Sequence, residues 1–332
     1  MSFRAWPLLL AVPAAAVLMS RRVTRPLSLS ERSRLAGKTF VITGASSGLG
    51  RGVALELGRS GARVVLAARR AEALESLVSQ IEGEGGQAVM VPTDVTDTTQ
   101  MQHLLETAVG AFGAIDGWIN NAGVAVIGRF DEIPLEDQHR LLDTNLKAMV
   151  TGSYLAMRQF EAQGYGNLIN VGSVDSEVPH AYQAAYSASK AGVSMLGRVL
   201  NEELRLRRQR LIQVSTVLPW ALDTPLWDHV GNYTGHQTRI PTMDPAAKAV
   251  VAVVRAYLQP QQEITVGYKA KLAYWSHRLT PGLNERLSGL ILEKAEIEMH
   301  PAATPTSGTL HRPVEQGQGV DGGIRERMKR EG

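Results

Sequence analysis

The stretch KTFVITGASSGLGRGVALELGRSG, Lys38 to Gly61, changes its period halfway along. KTFVITG is short, apolar and β-branched, the composition of a buried strand. From Leu49 the apolar residues return at helical spacing and stop at Gly61. Between the two stands TGASSGLG, Thr43 to Gly50, with glycines at 44, 48 and 50. Glycine there permits a tight turn and lets backbone approach a pyrophosphate, which then rests on the helix N-terminus. The spacing is G-x-x-x-G-x-G, and glycine-rich turns also serve merely to pack a helix on a sheet. Its place after the first strand of a βαβ unit favours the nucleotide-binding reading.

Outward from this turn the alternation continues. Strands are expected at ARVVLAAR (62–69), QAVMVPTDV (87–95), IDGWINNAG (115–123), GNLINVG (166–172), LIQVSTVLP (211–219) and EITVG (263–267). Amphipathic helices are expected at 71–86, 97–113, about 135–160, about 186–207 and 245–258. Continuously apolar strands separated by helices indicate a parallel sheet covered on both faces. Right-handed crossovers then make it a doubly wound α/β fold in a single domain. No internal repeat is visible.

The end of the second strand bears on the choice of dinucleotide. An acid placed there bonds a ribose 2′-hydroxyl, whereas arginine accommodates a 2′-phosphate. Here the strand ends in Ala67, Ala68, Arg69 and Arg70, and no acid appears before Glu72. Guanidinium binds phosphate well, so NADP(H) is expected over NAD(H), with a pair of solvated helix-entry arginines as the plainer alternative.

These features occur together with Asp94-Val95 after the third strand, NNAG (Asn120 to Gly123), Asn145, Ser173 and YSASK (Tyr186 to Lys190). In that order, over about Leu35 to Gly267, the chain resembles the short-chain dehydrogenases/reductases. The resemblance implies a Rossmann-like fold and a catalytic tetrad of Asn145, Ser173, Tyr186 and Lys190. It implies cofactor contacts from Gly44, Ser46, Ser47, Gly48, Leu49 and Gly50, from Arg69 and Arg70, and from Asp94 and Val95 beside the adenine. Asn121, Ala122, Gly123, Pro219 and Thr224 would complete the cofactor site, with Lys190 on the nicotinamide ribose. Ser173, Tyr186 and Trp220 would meet the substrate, and Asn145 would hold a water that relays protons to Lys190.

Tyr186 and Lys190 are four residues apart, so on a helix they share a face. A lysine ammonium beside the phenol favours tyrosinate and is expected to draw the tyrosine pKa down from about 10. Tyr186 would then exchange a proton with a substrate oxygen while hydride moves at the carbon. The reading is an oxidoreductase interconverting a carbonyl and an alcohol. The alternatives are a silent NADP(H)-binding sensor or scaffold, and an epimerase or dehydratase on the same fold.

Where the family has Pro-Gly after the sixth strand, this chain has Pro219-Trp220, which adds bulk near the substrate entrance. The loop 220–240 carries Trp227, His229, Tyr233 and His236. Its aromatics suit either an apolar, ring-bearing substrate or a lid held down by its own packing. The two histidines lack metal-ligand spacing, and no metal is expected.

The chain has 332 residues, 44% hydrophobic and 20% charged, a balance suited to a globular domain. There is no cysteine, which excludes disulfides, cysteine nucleophiles and thiolate metal sites. The net charge of +3 conceals a basic N-terminus: residues 1–38 hold seven Arg and Lys against Glu31 alone. The excess therefore does not describe a nucleic-acid-binding face. Trp6 to Met19 runs without a charge, short of the ~20 apolar residues of a transmembrane helix. It reads as an anchor in 1–34 that keeps the domain on the cytoplasmic face of a membrane, because Arg21 and Arg22 follow it. The alternative is a signal segment cleaved near Ala14 to Ala16, giving an exported protein. Beyond the domain at 35–268, residues 269–300 read as two amphipathic helices broken at Pro281-Gly282. They would lie on a membrane surface, cover the cleft or join subunits. Residues 301–332, rich in glycine and proline, are expected to be a disordered tail. The partner is a small carbonyl or alcohol, with a homo-oligomer through the helices of Asn145 and Tyr186 expected from the resemblance.

Overall fold

The computed structural model describes residues 23–331, apart from 238, 239, 241, 292, 294–296, 298, 299 and 315. The apolar run Trp6–Met19, and with it the expected anchor, lies outside the described residues. Among those described, no helix is long and apolar enough to cross a membrane.

Seven parallel strands form the sheet: β1 (Thr39–Thr43), β2 (Arg63–Ala68), β3 (Gln87–Pro92), β4 (Gly117–Asn120), β5 (Gly166–Val171), β6 (Ile212–Pro219) and β7 (Glu263–Val266). Their order is β7-β6-β5-β4-β1-β2-β3. Every residue of β1 is buried, as a central strand covered on both faces requires. Alternate residues face opposite ways. Phe40 and Ile42 join one core with helices α2 (Gly48–Arg59), α3 (Ala71–Gly83) and α8 (Ala246–Leu258). Val41, Val65 and Trp118 join the other, against α4 (Thr98–Phe112), α6 (Ala148–Gln163) and α7 (Ala184–Leu206). The strand order reverses between β1 and β4, so a crevice opens at their carboxyl ends.

The helix expected over 135–160 is interrupted. It comprises α5 (Leu135–Leu142), a π-helical turn at Asp143–Lys147 and α6. The domain also begins earlier than Leu35. Arg255 of α8 donates to Glu31 Oε1 at 3.1 Å and to the carbonyls of Val23 and Arg25. Ser28 and Glu31 form a capping box for α1 (Leu29–Ser33), and Leu27 and Leu35 enter the core.

After β7 come α9 (Gly267–Leu279) and α10 (Pro281–Ile291). Ala270 of α9 packs on Val174 and Val178, with Trp220 against them, so α9 lies over the strand ends near the cleft. Tyr268, Leu272, Trp275 and Leu279 face outward.

The tail departs most from expectation. Its described residues run back across the carboxyl edge of the sheet and end in α11 (Ile324–Glu331). The sequence shows too few apolar residues for a core of its own, which is correct. The tail instead borrows the domain's core, burying Leu310 and Ile324, and spends its backbone carbonyls on arginines of the domain.

The Glu31–Arg255 pair fixes the N-terminal segment and sets a pH dependence. Burial raises the Glu31 pKa, but the bonds from Arg255 and Ser28 outweigh it and leave the carboxyl at about 2. A folded pKa below the unfolded value stabilises above about 4.5, and that contribution fades as pH falls toward 2. Arg255→Met leaves the buried Glu31 carboxylate to Arg25 and Ser28 and is expected to cost on the order of 2 kcal/mol at pH 7. Urea unfolding at pH 7 and pH 3 checks this: the gap from the parent chain narrows at the lower pH, and a constant gap would refute the assignment.

Candidate active site

Every residue nominated from the sequence, except Gly50 and Asn145, lines one cavity of about 560 Å³ at the β1/β4 crevice. Gly50 sits beneath its floor. A Cβ there would meet the carbonyl oxygen of Gly44 at 2.3 Å, so only glycine lets α2 start this close to β1. Across the crevice, Asn121 Nδ2 donates to the carbonyl of Thr43 at 2.9 Å. The Thr43 hydroxyl accepts from Asn121 N at 3.0 Å and Ala122 N at 3.2 Å. The glycine turn and the end of β4 are thus tied together, and the N-terminus of α2 faces the cavity.

Asn145 lies in the π-helical turn, fully buried. The wider turn aims its amide at Val124, donating to the carbonyl at 2.9 Å and accepting from the N–H at 2.8 Å. Its first task is to hold the loop after β4. At Gly123 a side chain would meet both Asn145 Oδ1 and Lys190 Nζ, so the loop passes between the two.

Tyr186 and Lys190 share the inner face of α7, with Ser173 opposite at the end of β5. Lys190 is buried and its ammonium donates to the carbonyl of Val171 at 3.0 Å. Burial lowers its pKa to about 8, against a smaller opposing pull from Asp175. The expectation that Lys190 draws the Tyr186 phenol down is not met. Burial pushes the phenol above its ordinary range, Asp175 adds to this, and only a bond with Ser173 opposes. The lysine nitrogen is directed at Val171 and stands 5.7 Å from the tyrosine ring centre. The phenol is therefore held protonated beside a cation that is itself easily discharged.

Three ionisable residues absent from the sequence reading join the cavity. Asp175 lies two residues beyond Ser173 and binds His180 Nδ1 at 3.1 Å. Arg140, from α5, donates to Asp94 Oδ2 at 2.7 Å and Thr96 Oγ1 at 2.7 Å. Asp175 and His180 lie between Ser173 and Tyr186 in the chain, and that proximity was available as a signal; Arg140 carried none. The lid aromatics mainly hold the lid. Trp227 Nε1 donates to the Leu222 carbonyl at 2.8 Å, and Trp220 Nε1 donates to the Thr242 carbonyl at 3.1 Å. Both rings also line the cavity. His229 bonds the Gln316 carbonyl of the tail, and His236 the His300 carbonyl just before it.

The buried lysine generates a stability prediction for the unliganded protein. Its folded pKa of about 8 lies below the ordinary 10.5. Between those values the unfolded chain binds the extra proton, so stability rises with pH there. Relative to Lys190→Met, the parent chain is expected to gain on the order of 3 kcal/mol between pH 8 and 10.5. Denaturant unfolding of both across that range measures it, and a pH-independent difference would contradict the burial argument.

The profile of the short chain dehydrogenase family matches residues 38–233. An uncharacterised oxidoreductase of Bacillus subtilis, YxnA, is 32% identical over 273 residues, 81% of this chain and 76% of its own length. A 3beta-hydroxysteroid dehydrogenase of Eggerthella lenta is 37% identical over 194 residues, 58% of this chain and 73% of its own. The crystal structure of a short-chain type dehydrogenase/reductase from Mycobacterium marinum superposes with a TM-score of 0.63 at 28% identity, covering 73% of this chain and 99% of that one. Sheet order, crevice and matched span agree, and the chain belongs to the short-chain dehydrogenase/reductase family.

Proposed function

We propose that the protein is an NADP(H)-dependent oxidoreductase that interconverts a carbonyl and an alcohol, working chiefly as a reductase on an apolar, ring-bearing substrate. One observation carries this: a single cavity is lined by Arg69 and Arg70 as well as by Ser173, Tyr186 and Lys190. The residues fit a nicotinamide dinucleotide. The turn Gly44–Gly50 would cradle the pyrophosphate, Arg70 and Ser46 the 2′-phosphate, Asp94 and Val95 the adenine, Lys190 the nicotinamide ribose, and Thr224 the carboxamide. Hydride transfer is the chemistry such a group supplies when bound.

The chain's own residues handle orientation and the proton. Ser173 and Tyr186 present two hydroxyls to a substrate oxygen. The phenol, kept protonated by burial, is ready to donate to that oxygen as an alkoxide develops. Lys190 stands behind it as the nearby cation whose proton is easily released. The NADP(H) preference expected from Arg69 and Arg70 supports reduction over oxidation. Apolar walls from Val174, Leu226, Trp227 and Ile240 support an apolar substrate. The steroid dehydrogenase relative, and a 2,5-dichloro-2,5-cyclohexadiene-1,4-diol dehydrogenase of Sphingobium indicum at 32% identity, support a ring. Residues 6–19, followed by Arg21 and Arg22, support attachment to the cytoplasmic face of a membrane.

Two experiments test these readings. The chain from Val23 is offered NADPH or NADH with a panel of cyclic ketones. NADPH is expected to be consumed preferentially, and Tyr186→Phe to lose about 10²–10⁴ in turnover with little change in NADPH affinity. Wild-type turnover in that variant would remove the tyrosine from the mechanism, and tight binding without turnover of any carbonyl would favour a sensor. For the location, the full chain is expected to sediment with membranes and the chain from Val23 to stay in the supernatant; equal partition would exclude the anchor.

A further inference from the structure

We propose that tail residues 309–314 and 316–319 form the outer wall of the dinucleotide site and aim Arg70 at the cofactor's 2′-phosphate, making the tail a determinant of NADP(H) preference. This rests on the cofactor assignment above. Thr309, Pro313 and Val314 line the same cavity as Ser46, Arg70 and Asp94. The tail therefore bounds the cavity that remains beside these residues.

The bonds that Arg70 makes to the tail and to Ser46 are the central observation. Its Nη1 donates to the carbonyls of Val314 at 3.1 Å and Gln316 at 3.2 Å. Its Nε and Nη2 both point to the Ser46 hydroxyl, at 3.2 and 3.0 Å. The Nε/Nη2 edge of a guanidinium is a two-pronged fork that matches an oxyanion. By taking the third corner, the tail fixes the rotation of the group and turns that fork onto the phosphate-binding turn. A long side chain ordered before binding spares the cofactor that entropic cost. Arg69 has a different share. Its Nη2 donates to the Thr309 carbonyl at 2.8 Å, and its Nη1 to those of Leu310 and His311 at 3.3 and 3.5 Å. Arg69 is thus the post that holds the wall, and Arg70 the reader.

The wall is pinned at both ends. Leu310 is buried at one, where its carbonyl also accepts from Arg140 Nε at 3.2 Å. At the other, the Gly48 N–H at the start of α2 donates to the Gly319 carbonyl at 2.8 Å. Asp223 accepts from Ile324 N at 2.9 Å and Arg325 N at 3.3 Å. Gly322 passes so close to Thr224 that a Cβ would meet its carbonyl carbon at 2.7 Å. Any larger residue at that position must lift the tail.

The test measures Kd for NADPH and NADH on the full chain, on a chain ending at Arg312, and on full-length Gly322→Leu. The truncation keeps the buried Leu310 and the carbonyls that hold Arg69, but removes those that hold Arg70. Both altered proteins are expected to lose about tenfold or more in NADPH affinity, the scale of one charge-assisted bond, with NADH within about threefold. Adding Arg70→Ala to the truncated chain is then expected to cost far less than in the full chain, since the two changes remove the same interaction. NADPH bound as tightly without the tail, or more tightly, overturns the proposal. If the full chain itself shows no preference for NADPH, the cofactor reading fails first and takes this one with it. Should the altered chains not fold, trypsin cleavage at Arg325 and Arg327 of the intact chain decides. NADPH is expected to slow it more than NADH does, and equal protection overturns the proposal.

Discussion

The constraint on which the site depends is the close approach of the glycine turn to the end of β4. β1 and β4 are neighbours in the sheet, but their connections leave on opposite faces, so nothing in a doubly wound topology joins the two turns. Thr43 and Asn121 supply the joint. One hydroxyl accepts two backbone N–H groups, and one side-chain amide donates to the turn at the Thr43 and Gly44 carbonyls. The missing side chain at Gly50 lets the helix start against the Gly44 carbonyl. Buried backbone groups at the ends of strands must find partners. Here they find them across the crevice, and the result is a rigid floor with a helix N-terminus at its edge.

Rigidity of the floor in turn permits the charges above it to be buried. Lys190 has one carbonyl partner at the end of β5, little to offset the loss of water around an ammonium. A protein tolerates such a group when the surrounding structure over-determines it. Asn145 contributes by clamping Val124 on both sides, and it can reach because the helix widens by a π turn at that position. Such turns are rare and cluster where a side chain must be re-aimed. The π turn and the buried charge are two aspects of one arrangement: the loop is held so that lysine, tyrosine and serine meet in a low-dielectric pocket.

Much of this was legible in the chain. The period change at Thr43 to Gly50 and the seven apolar runs gave the sheet. The spacing of Tyr186 and Lys190 gave the inner face of α7. Less legible was the balance of forces at that face, because a four-residue spacing reports proximity but says nothing about burial. Burial reversed the expected shift of the tyrosine. Arg140 was invisible for a different reason. It belongs to the site through Asp94, across 46 positions of sequence, and no local pattern encodes such a pairing. The tail was misread on composition alone. Few large apolar residues do exclude an independent core, but they do not exclude docking onto a core that already exists.

That distinction explains why a segment so poor in apolar residues can still hold a defined place. A tethered chain meets its site at high effective concentration, so modest contacts suffice to dock it. Two buried anchors, Leu310 and Ile324, and a run of carbonyls on Arg69, Arg70 and Arg140 are contacts of that grade. Bonds from guanidinium to neutral carbonyls are also weaker than bonds to phosphate. A fully disordered tail would leave Arg70 without the carbonyls that set its rotation. The composition that argued against structure therefore still suffices for a wall: enough contact to set the geometry of the arginines, without a core of its own.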